Sequence, residues 1–248
     1  MTLSSMLLNL ARSVCLGTLF AVQAIAAEDI ITLPLRFHIS QGVEMTIKAK
    51  KLEAWVKPAD LKGPVIIEVN RIWKQAGIQF VIERAEEEAV IKPADYAEII
   101  QYIENAKRDE NGHGDPTRIQ KIMQLVDPAK SNPKTHNIYL MPYIGGTSQG
   151  NAQFKLKGIF VGTWTDKASR GQNPPVKTLL SEKEPFKVGS LARTIAHEIG
   201  HTLGLNHPKS SSGVPQLMSG GGYVLTPAEI TTARKIAQAI KSDPAAAQ

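Results

Sequence analysis

Between residues 33 and 40 apolar and polar side chains alternate. Leu33, Leu35, Phe37 and Ile39 point one way, and Pro34, Arg36, His38 and Ser40 point the other. This predicts a strand with one buried face, His38 being a structural residue on its polar face. The period changes at residue 64. Pro64 suits a first helical position, and Val65, Val69, Ile72, Trp73 and Ala76 recur at helical spacing up to Gly77, which predicts a helix over 64–76. Alternation returns at once with Ile78, Phe80 and Ile82. Strand, helix, strand in this order predicts a right-handed crossover in a mostly parallel sheet.

Further along, Tyr96, Ile99, Ile100 and Ile103 mark one face of a helix over 95–107. The polar stretch 108–116 carries Asp109, Asn111, His113 and Asp115. Their spacing departs from that of a calcium loop and no glutamate follows at the right distance, so a flexible loop is expected. A short helix is expected over 117–126. Residues 136–144 read as a third strand, Gly145–Phe154 as a Gly-rich loop with a candidate edge strand, and 158–164 as a buried strand. The connection 166–188 holds Pro174, Pro175 and Pro185; connections this long are often functional. Leu191, Ile195, Ile199 and Leu203 then form an apolar stripe behind Ser190, a plausible N-cap. A Ser- and Gly-rich turn region covers 209–222. Thr226-Pro-Ala-Glu229 is a capping box that opens a last helix with Ile230, Ala233, Ala237 and Ile240 inward.

Composition changes this picture little. The 248 residues suffice for one sizeable core, and the net charge of +6 is not gathered into blocks that suggest nucleic-acid binding. The N-terminus adds more. After Arg12 comes a ten-residue apolar run, then Ala24-Ile25-Ala26, a small-x-small cleavage signal. Residues 1–26 are therefore expected to be a removed signal peptide, the run being short for a membrane span. Residues 27–248 would form one secreted or periplasmic domain without a stable membrane span. Cys15 is the single cysteine, so the mature chain would rely on core packing and metal rather than disulfides.

The chemistry concentrates in His-Glu-Ile-Gly-His-Thr-Leu-Gly-Leu-Asn-His, residues 197–207. His197 and His201, four apart, differ in direction by about 40° on a helix and can reach one ion. Glu198 is turned by about 100° and can lean over the metal without ligating it. Gly204 can take the positive φ that ends the helix and brings His207 back as third ligand. Three neutral nitrogens leave a fourth position open, as in a catalytic Zn2+ site.

This extended motif, with Met218 eleven residues after His207, resembles the metzincin clan of zinc metallopeptidases, in a matrixin- or reprolysin-like form. The resemblance implies an α/β zincin fold. Its twisted, mostly parallel sheet would have an antiparallel edge strand and pack on helices. A small C-terminal subdomain (208–248) would follow an N-terminal one (27–207). It makes Met218 the residue of a methionine turn beneath the metal. Where serralysins and astacins carry a tyrosine two residues after that methionine, this chain has Gly220; Tyr223, five after it, is the candidate for contact with metal or transition state. The calcium repeats of serralysins and the cysteine switch of matrixin precursors are absent from the sequence.

The resemblance further implies an extended polypeptide substrate added to the edge strand near 147–156, with 219–224 walling the pocket beyond the cut bond. Glu198 would act as general base and acid. Two other readings stay open: a zinc amide hydrolase acting on a cell-wall bond, and a non-enzymatic scaffold serving as a binding or toxin subunit. Neither the substrate nor the oligomeric state is legible.

Overall fold

The computed structural model describes residues 30–90, 132, 134–144, 150–153, 158–165, 174–182, 189–209, 214–219 and 222–242. The elements are β1 (Ile31–Gln41), β2 (Met45–Ile47), β3 (Lys50–Leu52), α1 (Pro58–Asp60), a π turn (Leu61–Val65), α2 (Ile66–Trp73) and a 3-10 turn (Lys74–Ala76). There follow β4 (Ile78–Ala89), β5 (His136–Met141), β6 (Gly150–Gln153), β7 (Gly158–Gly162), β8 (Trp164–Thr165), β9 (Val176–Lys177), α3 (Leu191–Thr202) and α4 (Pro227–Ser242). The expected signal peptide with Cys15, the helices at 95–107 and 117–126, and the polar loop 108–116 lie outside the described residues.

Five strands form one sheet in the order β4-β1-β5-β7-β6. Three pairings are parallel and only β6 runs antiparallel, on the edge beyond β7. This is the mixed α/β architecture expected of a zincin. The alternation in β1 buries Leu33, Leu35, Phe37 and Ile39 in one core with Val69 and Trp73 of α2, Ile195 and Ile199 of α3, and Ala233 and Ala237 of α4. Parallel strands are stable when both faces are covered, and here the second face of β1 is buried over its C-terminal half. His38 and Ser40 are shielded from solvent, so the polar face expected to meet water does so only in part. The sequence around β1 could not show this, because β1 sits between β4 and β5. Those neighbours supply the polar partners: His38 Nδ1 lies 3.0 Å from Glu88 Oε2 and Nε2 lies 3.2 Å from Asn137 Oδ1. Its ring stacks on Tyr139, its cross-strand partner, at 4.6 Å. His38 is structural, as its position suggested.

The helix expected from residue 64 begins earlier, at Pro58. Gly63 (φ −108°, ψ −110°) breaks the run just before Pro64. A proline lacks the N–H that a helix interior needs, and the π turn takes up that defect before α2 continues. The rest of the helix follows expectation. Val65, Val69, Ile72, Trp73 and Ala76 are buried, and Gly77 stops it at φ +61°. Trp164–Thr165 (β8), just before the connection 166–188, pairs antiparallel with Val176–Lys177 (β9) inside it, both strands being too short to leave a periodic trace. The capping box closes in both directions. Thr226 N–H donates to Glu229 Oε2 (2.7 Å) and Glu229 N–H to Thr226 Oγ1 (3.3 Å).

Candidate metal centre

Helix α3 carries the motif, and its position is set from both ends. At the start, Ser190 is extended (φ −78°, ψ 165°) and its hydroxyl accepts from Arg193 N–H at 3.1 Å. That satisfies one of the donors a helix start leaves open. The same hydroxyl donates to Glu68 Oε1 (3.1 Å), and Glu68 Oε2 accepts from Glu182 N–H (2.6 Å), so a buried carboxylate on α2 ties down the cap. Along its length, Leu191, Ile195 and Ile199 are buried in the core, and Trp73 Nε1 donates to Ala196 O at 3.2 Å. At the far end Gly204 takes φ +82°. Leu205 N–H then reaches back to Gly200 O (2.9 Å) and Gly204 N–H to His201 O (3.1 Å), the bond pair of a Schellman stop.

This stop returns the chain to the helix face. The ligand atoms of His197, His201 and His207 all lie within 4.8 Å of one another. His207 Nε2 is 3.0 Å from His197 Nε2 and 3.2 Å from His201 Nε2. The Nδ1 atoms of the two helical histidines are committed elsewhere. His197 Nδ1 donates to Leu217 O at 2.7 Å and His201 Nδ1 to Leu205 O at 2.9 Å. A proton held on Nδ1 by a backbone carbonyl leaves the Nε2 lone pair to face a metal and fixes its direction. Nitrogens about 2.0–2.1 Å from a tetrahedral zinc stand roughly 3.3–3.4 Å apart. The donor set and its spacing therefore fit a zinc ion. Burial pushes the His197 pKa well below its usual value, with the neighbouring His201 acting the same way and the Leu217 bond opposing. The shift favours the neutral ring, the state a metal needs.

Met218 is fully buried. It sits in a turn beneath α3, where a Cβ added to Gly200 would lie 2.5 Å from its sulfur. Ser219 N–H and Oγ both donate to Gln216 O, and Leu217 N–H to Val224 O (2.8 Å), which fixes the turn. Glu198 is buried, and its side chain lies against β6 at Gly150. Tyr223 is half-buried against the core. Its carbonyl accepts from Gln75 Nε2 (2.8 Å) and its N–H donates to Pro215 O (2.8 Å).

Arg193 was not singled out by sequence reasoning. It is one turn before His197 and buried. Its guanidinium donates to Leu217 O (2.9 Å), Gly222 O (2.8 Å) and Ser219 O. Leu217 O thus serves both Arg193 and His197. Burial pulls the Arg193 pKa down, while attraction from Glu198 and Glu182 opposes it. The signal available was its spacing: position 193 shares the ligand face, not the apolar stripe. Gly150 and Gly200 were missed as well, because close approach between segments distant in sequence leaves no local pattern.

The sequence pattern described as Metallo-peptidase family M12B Reprolysin-like matches residues 65–208. A second pattern of the same description matches residues 180–241. Together they span α2, the sheet beyond β1, the three histidines, the Met218 turn and most of α4. No curated protein matches the chain.

Proposed function

Because the chain belongs to the reprolysin-like metallopeptidases of family M12B, we propose that it is an exported zinc endopeptidase with Glu198 as its general base. The observation that carries this reading is the convergence of three Nε2 lone pairs, two of them aimed by carbonyls. His197, His201 and His207 would hold the ion. Zinc, when bound there, would supply a Lewis acid that acidifies a water and polarises the scissile carbonyl.

The remaining work falls to the chain. Glu198, adjacent to His197 but rotated off the ligand direction, accepts the proton of the attacking water and passes it to the leaving amine. Its burial keeps competing solvent away from that transfer. The substrate is an extended polypeptide lying along β6. Support for that placement is the position of β6 at the sheet edge, with its first residue against the Glu198 side chain; an edge strand offers unpaired backbone groups to an incoming strand. Segment 219–224, tied through Ser219 O and Gly222 O to Arg193, walls the pocket for the residue after the cut bond. Export rests on the N-terminal apolar run and the Ala24-Ile25-Ala26 signal.

The test is cleavage-site profiling of the zinc-loaded protein on a proteome-derived peptide library, beside a cell-wall substrate panel. Peptide cleavage that Glu198→Ala abolishes while zinc stays stoichiometric is the expected result. Cleavage of cell-wall material alone would transfer the same mechanism to an amide hydrolase. A Glu198→Ala protein of full activity would remove the general base from the mechanism.

A further inference from the structure

Gly150 is a glycine for want of space, not for backbone freedom. Its φ is not among the positive ones, and it is paired with Val161 in the β6–β7 ladder. An added Cβ would stand 2.6 Å from Glu198 Cγ, 2.7 Å from Glu198 Oε1 and 2.8 Å from Thr194 Cγ2. Separations under 3.0 Å are essentially never found for a real Cβ, so some atom must yield. The strand is held by its ladder to β7, and the backbone of Glu198 is held inside α3. Two residues on, where the pleat returns to the same face, stands Ala152, buried in the core against α3. The strand thus approaches the helix closely through two small residues, and the Glu198 side chain is the group nearest to an added Cβ.

We propose that Gly150 is a positioning residue for Glu198: the missing side chain on the edge strand sets where the carboxylate stands over the metal centre. This rests on the reading of Glu198 as general base. The strand that would receive the substrate and the carboxylate that would activate the water are in direct contact. Displacement of a catalytic group by about 1 Å can lower a rate on the order of a hundredfold.

The experiment compares wild type, Gly150→Ala, Glu198→Ala and the double variant, all zinc-loaded, with zinc content and melting temperature as controls. Gly150→Ala is expected to bind zinc stoichiometrically, to lower kcat by about tenfold to a hundredfold, and to leave KM nearly unchanged. A shift in the acid limb of kcat against pH should accompany the loss. In the cobalt(II)-loaded protein, the pH midpoint of the visible absorption band should move as well, a readout independent of turnover. In the Glu198→Ala background, Gly150→Ala should change neither the residual rate nor that midpoint. Wild-type kcat and pH behaviour in Gly150→Ala would overturn the proposal while leaving the general base intact. An equal fall in the Glu198→Ala background would also overturn it, by placing the effect in the strand. Full activity of Glu198→Ala would strike the general-base reading itself. If Gly150→Ala does not fold, rescue of folding by Glu198→Ala, but not by Thr194→Ala, is expected; the reverse overturns the proposal.

Discussion

The sulfur of Met218 occupies the space that a Cβ on Gly200 would need, only 2.5 Å away, with its Cε at 3.2 Å. Gly200 lies between the two helical ligands, so the methionine turn packs directly beneath the metal-binding face of α3. An alanine in a helix is intrinsically favoured over glycine by about 1 kcal/mol. Here overpacking is expected to outweigh that gain, costing about 1–3 kcal/mol. Gly200→Ala should therefore lose stability in urea unfolding, and Met218→Ala should lose stability by opening a cavity. The double variant should lose less than the sum of the two. Additive losses would show that the sulfur adjusts without strain.

Arg193 is the second brace of the same turn. Its guanidinium serves three carbonyls and shares Leu217 O with His197 Nδ1. Arg193→Met keeps an apolar stem but removes every one of these donors. Hydrogen bonds to charged groups are worth about 1.5–3 kcal/mol each, so a loss of several kcal/mol in urea unfolding is expected. Loss of an outer-shell partner lowers metal affinity by roughly 10–100-fold, and chelator competition at a temperature well below the melt measures it. Arg193→Lys should recover part of the affinity. A zinc affinity equal to wild type in Arg193→Met would confine Arg193 to folding.

Legibility in the sequence followed the range of the interaction. The three histidines, the Gly204 stop, the Ser190 cap and the Thr226–Glu229 box are local patterns and were readable as such. So were β1, α2 and β4, whose apolar periods lie within single elements. Burial of His38 was not readable, because its partners Glu88 and Asn137 come from neighbouring strands 50 and 99 residues away. Gly150 and Arg193 were silent for the same reason. A glycine opposite a carboxylate, and a guanidinium filling a turn, acquire meaning only when β6, α3 and the Met218 turn meet. The ribbon β8–β9 was missed because two-residue strands carry no period.

Glu68 gives the helix cap a pH dependence. Burial pushes its pKa up, and the bonds from Glu182 N–H and Ser190 Oγ pull it part of the way back. The folded state therefore holds this proton more tightly than the unfolded chain, whose glutamate titrates at about 4.3. The resulting stability is fully present below about pH 4.3 and is lost as pH rises through the raised folded pKa. Glu68→Gln removes the titration. Wild type minus Glu68→Gln should be most favourable to wild type near pH 4 and should decline toward neutrality. Urea unfolding of both proteins across this range measures the difference. A flat difference would mean the carboxylate titrates alike in both states.

His197 sets how far into acid the centre keeps its metal. Protons and zinc compete for the same Nε2 lone pair. The pKa of the imidazole is lowered well below the usual 6.5, mainly by burial. The sign follows from linkage. A histidine depressed in the folded state contributes stability above the unfolded pKa and loses it as pH falls through the folded one. At pH 6.5 half of ordinary histidines are already protonated, and the lowered pKa of His197 leaves it protonated to a smaller extent. Zinc content after equilibrium dialysis should thus stay level as pH falls through 6.5 and drop only below it. Exposing the ring should move that drop toward neutrality. The Leu217 carbonyl accepts from His197 Nδ1 and Met218 is the side chain packed beneath the helix, so Met218→Ala, which opens space at the turn, is the variant to compare. Release of zinc centred at 6.5 in the wild type would show that burial does not hold His197 neutral.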